Sequence, residues 1–414
     1  MIEPKPAQAT RTGLRASFHA QVGGLPAAFW WLWLGTLVNR AGTFVAPFFV
    51  LYLIGPRNVS VSTAGTVLTV LGVGSLLSQP LGGVLTDRFG RRATLAIGQS
   101  ACAVVLFGLS FARPLWLIAA IAFCLGLVAD LYRPAAGAAV ADLVDAPQRQ
   151  RAFALQFWAI NLGFSVASLA AGVLLHYGFG LLFMLDAATT LAFGMLALRF
   201  IPETKPDSDG PRARLADPIR LLATDRLLLV ATLLVLVYAV LYIQAGVGLP
   251  LAVKDAGLRP GIYGYVIAIN GVVIVFGQPL TLTLLSRWPR RVTLPSGIAL
   301  VGIGFALTGL CRTPWEFAAS VAVWSIGEIA TAGSFQALIT ALAPEDMRGR
   351  YSGAVGLAWG ASGMIGPLLG ANAFALSPAL LWVGCAIVGL AAAAGQFWLL
   401  GKIDEREASR PVPV

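Results

Sequence analysis

The chain has 414 residues, of which 57% are hydrophobic and only 12% charged, with a formal net charge of +10. So apolar a composition cannot be wrapped into soluble domains without leaving apolar surface in water, so the solvent of most of this chain is lipid. The positive charge is spread over alternate short loops, as membrane orientation demands, which argues against a nucleic-acid surface.

A span needs about 20 apolar residues. The sequence predicts twelve helices, near 26–54, 61–86, 93–112, 115–141, 150–175, 178–200, 226–254, 260–286, 292–311, 315–342, 349–374 and 377–400. The chain therefore divides into a polar amino-terminal segment (1–25), a six-helix bundle (26–200), a linker (201–225), a second six-helix bundle (226–400) and a tail (401–414). The first segment has no cleavage site after a short apolar core, so the first helix serves as its own uncleaved signal.

In chain order, the first helix carries Arg40 in mid-span, with Asn39 and Phe44 beside it. A charge at that depth is costly unless it is paired or faces water. The loop after the second helix reads Gly83-Val84-Leu85-Thr86-Asp87-Arg88-Phe89-Gly90-Arg91-Arg92. Asp87 and Arg88 at a helix end can pair with charges on neighbouring helices. Gly90 permits a turn that a side chain would obstruct, and Arg91 and Arg92 face cytosol and anionic lipid.

The fourth helix holds Asp130 and Arg133, three residues apart and so on one face. They read either as a self-neutralising pair, with Arg40 pairing to Asp130 or Glu328, or as a proton-binding acid with a removable cation. Asp142, near the end of the same helix, joins Arg149 and the Asp87-Arg88 loop in a charged latch. The fifth helix supplies Gln156, Trp158 and Asn161 to a candidate pocket. In the sixth, Asp186 reads as a contact to a helix N-terminus or as an outer-side proton site.

The linker carries four prolines and several charges and predicts no folded domain. The seventh helix adds Tyr238, Tyr242 and Gln244 to the pocket. The tenth adds Trp324 and Gln336 around Glu328, and the eleventh adds Trp359 amid glycines suited to close helix approach. Cys102, Cys124, Cys311 and Cys385 lie within spans without CxxC or histidine spacing, so they read as packing residues, with no metal site.

The two halves repeat. Gln79-Pro80-Leu81 recurs as Gln278-Pro279-Leu280, Arg88 as Arg287, Arg91-Arg92 as Arg290-Arg291 and Trp116 as Trp315, at a constant offset of 199 residues. In a chain this apolar, a duplicated half marks a secondary transporter. The second loop has Ser286 in place of Asp87 and Pro289 in place of Gly90, so only the first retains the full latch. Counted over the predicted loops, 22 of the 29 lysines and arginines fall on one side if the amino terminus is cytoplasmic, which puts both termini inside.

The 83–92 segment resembles the GxLxDRxGRR signature loop of the major facilitator superfamily at every defined position. The stretch from Ala141 to Gly163 resembles single-polypeptide multidrug/proton antiporters of that superfamily. The fifth helix lacks the glycine-proline pair usual in drug/proton antiporters, and Ala122 stands where they carry an arginine. The resemblance implies an all-α membrane fold of two pseudo-symmetric six-helix bundles, in which helices 1, 4, 7 and 10 line a central cavity. Asp130, Glu328, Arg40 and Arg133 then form a proton-coupling set on cavity helices. It also implies export of lipophilic, cationic small molecules against protons, across a plasma membrane, by a monomer surrounded by lipid. The alternative is a proton symporter or uniporter for one nutrient or metabolite, with Arg40 poised for an anion. The sequence has no nucleophile-base-oxyanion set and no nucleotide loop, so neither an enzyme nor a cofactor is expected.

Overall fold

The computed structural model describes residues 23–204, 217–285, 288–342 and 348–408. Lipid offers the backbone no hydrogen bonds, so an apolar chain must satisfy its own amides, and the helix is the local way to do so. Among the described residues sixteen α-helices follow: α1 (Ala27–Ala41), α2 (Val45–Ile54), α3 (Val61–Phe89), α4 (Arg91–Phe111), α5 (Leu115–Ala129), α6 (Tyr132–Leu143), α7 (Arg149–Leu174), α8 (Phe179–Phe200), α9 (Asp217–Thr224), α10 (Arg226–Tyr242), α11 (Gly248–Asp255), α12 (Pro260–Leu285), α13 (Arg290–Thr308), α14 (Pro314–Leu342), α15 (Arg348–Leu376) and α16 (Pro378–Ala408). Among the described residues they make twelve crossings, because α1 continues into α2, α5 into α6 and α10 into α11, and the eight-residue α9 is too short to span.

Those three interruptions correct the expectation of unbroken first, fourth and seventh helices. Each precedes a proline near the start of its second half: Pro47, Pro134 and Pro250. Proline has no N–H to return to the carbonyl four residues earlier, and its ring crowds that carbonyl. The carbonyls so released belong to Thr43, Asp130 and Gly246, each at a break. The joints in the first and seventh spans are repeat equivalents, since Tyr242 and Ile243 stand 199 residues beyond Thr43 and Phe44. Two details add to the expected spans. The linker contains the short helix α9, and the last helix runs on to Ala408, with Asp404 held by Arg290 at 2.7 Å.

Helix pairing repeats between the halves. In the first bundle α1 packs on α7 and α8, α3 on α5, and α4 on α8. In the second, α10 packs on α15 and α16, α12 on α14, and α13 on α16. The bundles meet along α3 with α15 and α7 with α12. Every crossing alternates between two faces: the terminal face, where α1 begins and α16 ends, and the opposite, distal face. The close glycine approaches between bundles lie from mid-span to the distal face among the described residues. A Cβ on Gly65 would stand 2.5 Å from that of Ala371, one on Gly72 would stand 2.0 Å from the Gly363 carbonyl oxygen, and one on Gly261 would stand 2.6 Å from that of Gly172. The half-helices α2 and α11 also touch, where Lys254 Nζ donates to the Ile54 carbonyl at 2.8 Å and Phe48 meets the Tyr263 ring edge-on at 5.1 Å. The distal face is closed.

At the terminal face Asp225 gathers the second bundle. Its carboxylate caps α10 by accepting from Leu227 and Leu228 N–H, and takes bonds from Tyr351 Oη at 2.8 Å and Arg406 Nη1 at 3.0 Å. Burial works to raise this carboxyl, but the bonds from Tyr351, Arg406 and the Leu228 amide outweigh it and hold it below the usual carboxylate range.

Candidate functional site

Glu328 stands in the middle of α14, and each of its oxygens has one neutral partner. Tyr242 Oη, at the end of α10, donates to Oε1 at 2.8 Å, and Asn270 Nδ2, from α12, donates to Oε2 at 2.6 Å. Asn270 is itself fixed by Ser325 Oγ at 3.0 Å. Among the described residues no lysine or arginine is within salt-bridge distance of Glu328.

Aromatic rings cluster around Tyr242, the tyrosine that binds this carboxyl. Tyr242 meets Trp324 edge-on at 6.1 Å and Trp359 at 6.0 Å, while Tyr238 packs on Trp359 at 6.1 Å and on Phe335 at 5.0 Å. Tyr238 Oη and Thr331 Oγ1 lie 2.9 Å apart, and the buried indole N–H of Trp324 has no hydrogen-bond partner among the described residues. Ring faces and a carboxylate both attract cations, and more strongly where water is scarce. Four of the aromatic pocket candidates therefore converge: Tyr238, Tyr242, Trp324 and Trp359. Asn270 was not anticipated, because a lone asparagine in an apolar helix gives no signal until its partner is known.

The first bundle holds a second polar centre. Arg40, at the end of α1, donates to the Tyr132 hydroxyl, so the sequence-level pairing of Arg40 with Asp130 or Glu328 is corrected. Asp130 caps the end of α5. Its backbone N–H donates to Ser78 Oγ at 3.2 Å, and its carboxylate pairs with Arg133 at 2.6 Å. Asp130 and Glu328 thus sit in different bundles with separate partners. Asn39 Nδ2 donates to Thr190 Oγ1 at 3.0 Å, and the Phe44 N–H donates to Asp186. Around Asn39, Arg40, Gln99, Asp186 and Thr190 lies a cavity of about 100 Å³.

The remaining pocket candidates serve elsewhere. Gln244 Nε2 bonds the Val240 and Gly366 carbonyls and ties the broken seventh span to α15. Gln156 is buried on α7 with its Nε2 unpartnered, Asn161 bonds the Phe157 carbonyl of its own helix, and Trp158 is exposed. The side chain of Gln336 lies outside the described residues.

At the terminal face the signature loop has a definite local cause. Gly90 adopts φ +89°, and a Cβ there would meet the Glu203 carboxyl carbon at 2.3 Å. Glu203 accepts from the Arg91 N–H at 2.7 Å and so satisfies the start of α4, while the Arg91 side chain pairs with Asp142 at 2.8 Å and Thr204 Oγ1 reaches the same carboxylate at 3.0 Å. The Asp142 latch is therefore made with Arg91 and the end of α8. Arg149 Nε instead bonds the Val144 carbonyl at 3.0 Å. Asp87, Arg88 and Arg92 are exposed, Arg88 lies over the Phe89 ring, and Gly83 faces open space. Glu203→Ala is expected to lower stability by about 1 kcal/mol, read as a drop in detergent melting temperature that Glu203→Gln partly restores.

The chain matches the model of the Major Facilitator Superfamily over residues 32–367, and again over 235–414. A Na(+), Li(+), K(+)/H(+) antiporter of Planococcus maritimus is 24% identical over 365 residues, covering 80% of this chain and 85% of the relative. The multidrug resistance protein MdtH of Salmonella typhimurium is 25% identical over 364 residues, covering 83% and 88%. Among solved structures, a POT family transporter in complex with 5-aminolevulinic acid superposes with a TM-score of 0.80 at 14% identity over 92% of this chain and 98% of its own. The nucleoside transporter NupG gives 0.72 at 14% identity over 91% and 99%. The family model spans most of this chain, whose two repeated bundles meet along α3 with α15 and α7 with α12, and the chain belongs to the major facilitator superfamily and is a multi-pass membrane transporter of small molecules, not an enzyme.

Proposed function

We propose that the protein exports lipophilic organic cations across the plasma membrane in exchange for protons. The observation that carries this reading is Glu328: a mid-span carboxyl whose hydrogen-bond donors among the described residues are neutral, beside the aromatic cluster of Tyr242, Trp324 and Trp359. A carboxyl with no fixed counter-cation can be neutralised by a proton or by a cationic cargo, and competition for one site is the simplest form of antiport. Asp130 is the second member of the coupling set, and Arg133 is the cation it releases when protonated. The names of the two curated relatives, a cation/proton antiporter and a multidrug resistance protein, support exchange of a cation for a proton.

In this reading the terminal face is cytoplasmic, which the distribution of lysine and arginine supports, and the contacts across the distal face support an inward-facing state. The chain works as a monomer, its exposed apolar flanks covered by lipid. A second reading, proton symport of one anionic metabolite, is favoured by a single observation: Arg40 lines a cavity and its Nε has no partner among the described residues.

Proteoliposome flux under imposed pH gradients of either sign separates them. Antiport predicts that a lipophilic cation such as ethidium accumulates in vesicles that are acid inside. Accumulation of an anion only in vesicles that are acid outside would favour symport.

A further inference from the structure

The Asp186 carboxylate is buried in α8 and directed at the joint of the first span. Its Oδ2 accepts from the backbone N–H of Phe44 and of Val45, each at 3.0 Å. These are two of the donors that a helix start leaves without partners, and the positive end of the α2 dipole lies behind them. Thr190 Oγ1 stands 3.4 Å from Oδ1 and in turn accepts from Asn39. The other end of α2 is the gate: its Ile54 carbonyl takes the Lys254 bond from α11, and Phe48 packs on Tyr263 of the second bundle. One ten-residue half-helix therefore joins a buried acid to the closure of the distal face.

The same acid lines the cavity of the first bundle, and there the protein leaves two donors unanswered. Among the described residues Gln99, 2% exposed, has no partner for Nε2, and Arg40 has none for Nε. A polar cavity of about 100 Å³ is large enough for a few waters. Such waters can answer both donors and carry protons to Asp186. The groups that face this space from each packed element are few. Arg40 comes from α1 and Cys102 from α4, α5 presents Leu125, Gly126 and Ala129 with the Asp130–Arg133 pair starting one residue beyond this lining, and α2 and α3 present only Val45, Ala46 and Leu71.

We propose that Asp186, with the hydrated cavity lined by Gln99 and Arg40, is a proton-binding site of the first bundle whose ionised form clamps α2 and holds the distal face closed. Protonation removes the charge that faces the α2 N-terminus and turns one acceptor oxygen into a hydroxyl, so the clamp loosens and the gate opens. This goes beyond the exchange at Glu328, since it concerns a different acid and a different bundle and does not depend on the cargo.

Spin labels at Pro56→Cys and Asp255→Cys, in a chain with Cys124→Ser, report the gap between the bundles at the distal face. Between about pH 8 and about pH 5 the wild-type distance distribution is expected to shift from short to long. Asp186→Asn is expected to show the long distance at both pH values, and Glu328→Gln to keep the wild-type response. If Asp186→Asn does not fold, Gln99→Leu reads the same site, with an expected shift of about one pH unit in the midpoint of the distance change. A wild-type response in Asp186→Asn, an unshifted midpoint in Gln99→Leu, or loss of the response in Glu328→Gln would each overturn the proposal. Ethidium flux in the same vesicles reports separately on export.

Discussion

Glu328→Gln is expected to lower gradient-driven accumulation of a lipophilic cation by about 5- to 150-fold, the span of a coupling free energy of about 1 to 3 kcal/mol. The substitution keeps the shape of the side chain and one carbonyl oxygen, so Tyr242 or Asn270 retains an acceptor. What it removes is the ability to alternate between a charged and a neutral form. Binding of the cation is expected to weaken but persist, because the aromatic cluster of Tyr238, Tyr242, Trp324 and Trp359 remains. Accumulation driven by an acid vesicle interior and binding by fluorescence titration give the two readouts, with melting temperature as the check on folding. If the variant concentrates ethidium as well as wild type, Glu328 is a structural acid.

Gly72→Ala is expected to abolish the closed distal face. A Cβ at this position would lie 2.0 Å from the Gly363 carbonyl oxygen, 2.3 Å from its carbon and 2.6 Å from the Met364 nitrogen, all backbone atoms of α15 that no rotamer change can move. An ordinary contact needs about 3.5 Å, so the two bundles must separate by roughly 1.5 Å at that level, and overpacking of this kind costs about 1 to 3 kcal/mol. Since α3 and α15 belong to different bundles, the cost falls on the closed state rather than on either bundle's fold. Transport is expected to fall below about a tenth of wild type, with a thiol introduced at Pro56 becoming reactive to a membrane-impermeant reagent. Gly83→Ala, which meets nothing within 4 Å, is the matched control. Wild-type transport in Gly72→Ala would mean that α3 and α15 do not approach this closely in the cycle.

Much of the fold is legible from hydropathy, because length and polarity alone separate span from loop in lipid. The conserved offset between Arg88 and Arg287 carries the repeat as well. The joints are not legible in the same way. Pro47, Pro134 and Pro250 mark broken spans, yet Pro80, Pro295 and Pro367 stand inside continuous helices, so proline is compatible with either outcome. Whether a span breaks depends on what answers the freed backbone groups, and that answer comes from another helix, as when Asp186 bonds the Phe44 and Val45 amides. A helix-N-terminus contact is one of the two readings the sequence offers for Asp186, but the sequence could not say which helix. For the same reason Glu328 and the aromatic residues are visible as rare residues in an apolar chain, while Asn270, Glu203 and Lys254 acquire meaning only through residues 58, 112 and 200 positions away.

The interruption of the first span at Thr43 and Phe44 also sets a length. A helix of ten residues, like α2, is about 15 Å long. Tilted by about 20° at its joint, such a rod swings its far end by about 5 Å, more than enough to part Ile54 from Lys254. An unbroken span would have to carry its whole bundle to make the same opening. On the gating proposed above, the moving part is this short lever rather than a whole bundle, and smaller elements move faster than domains rock, so uncovering the distal face and turning the cavity toward it are expected as two events with separate rates.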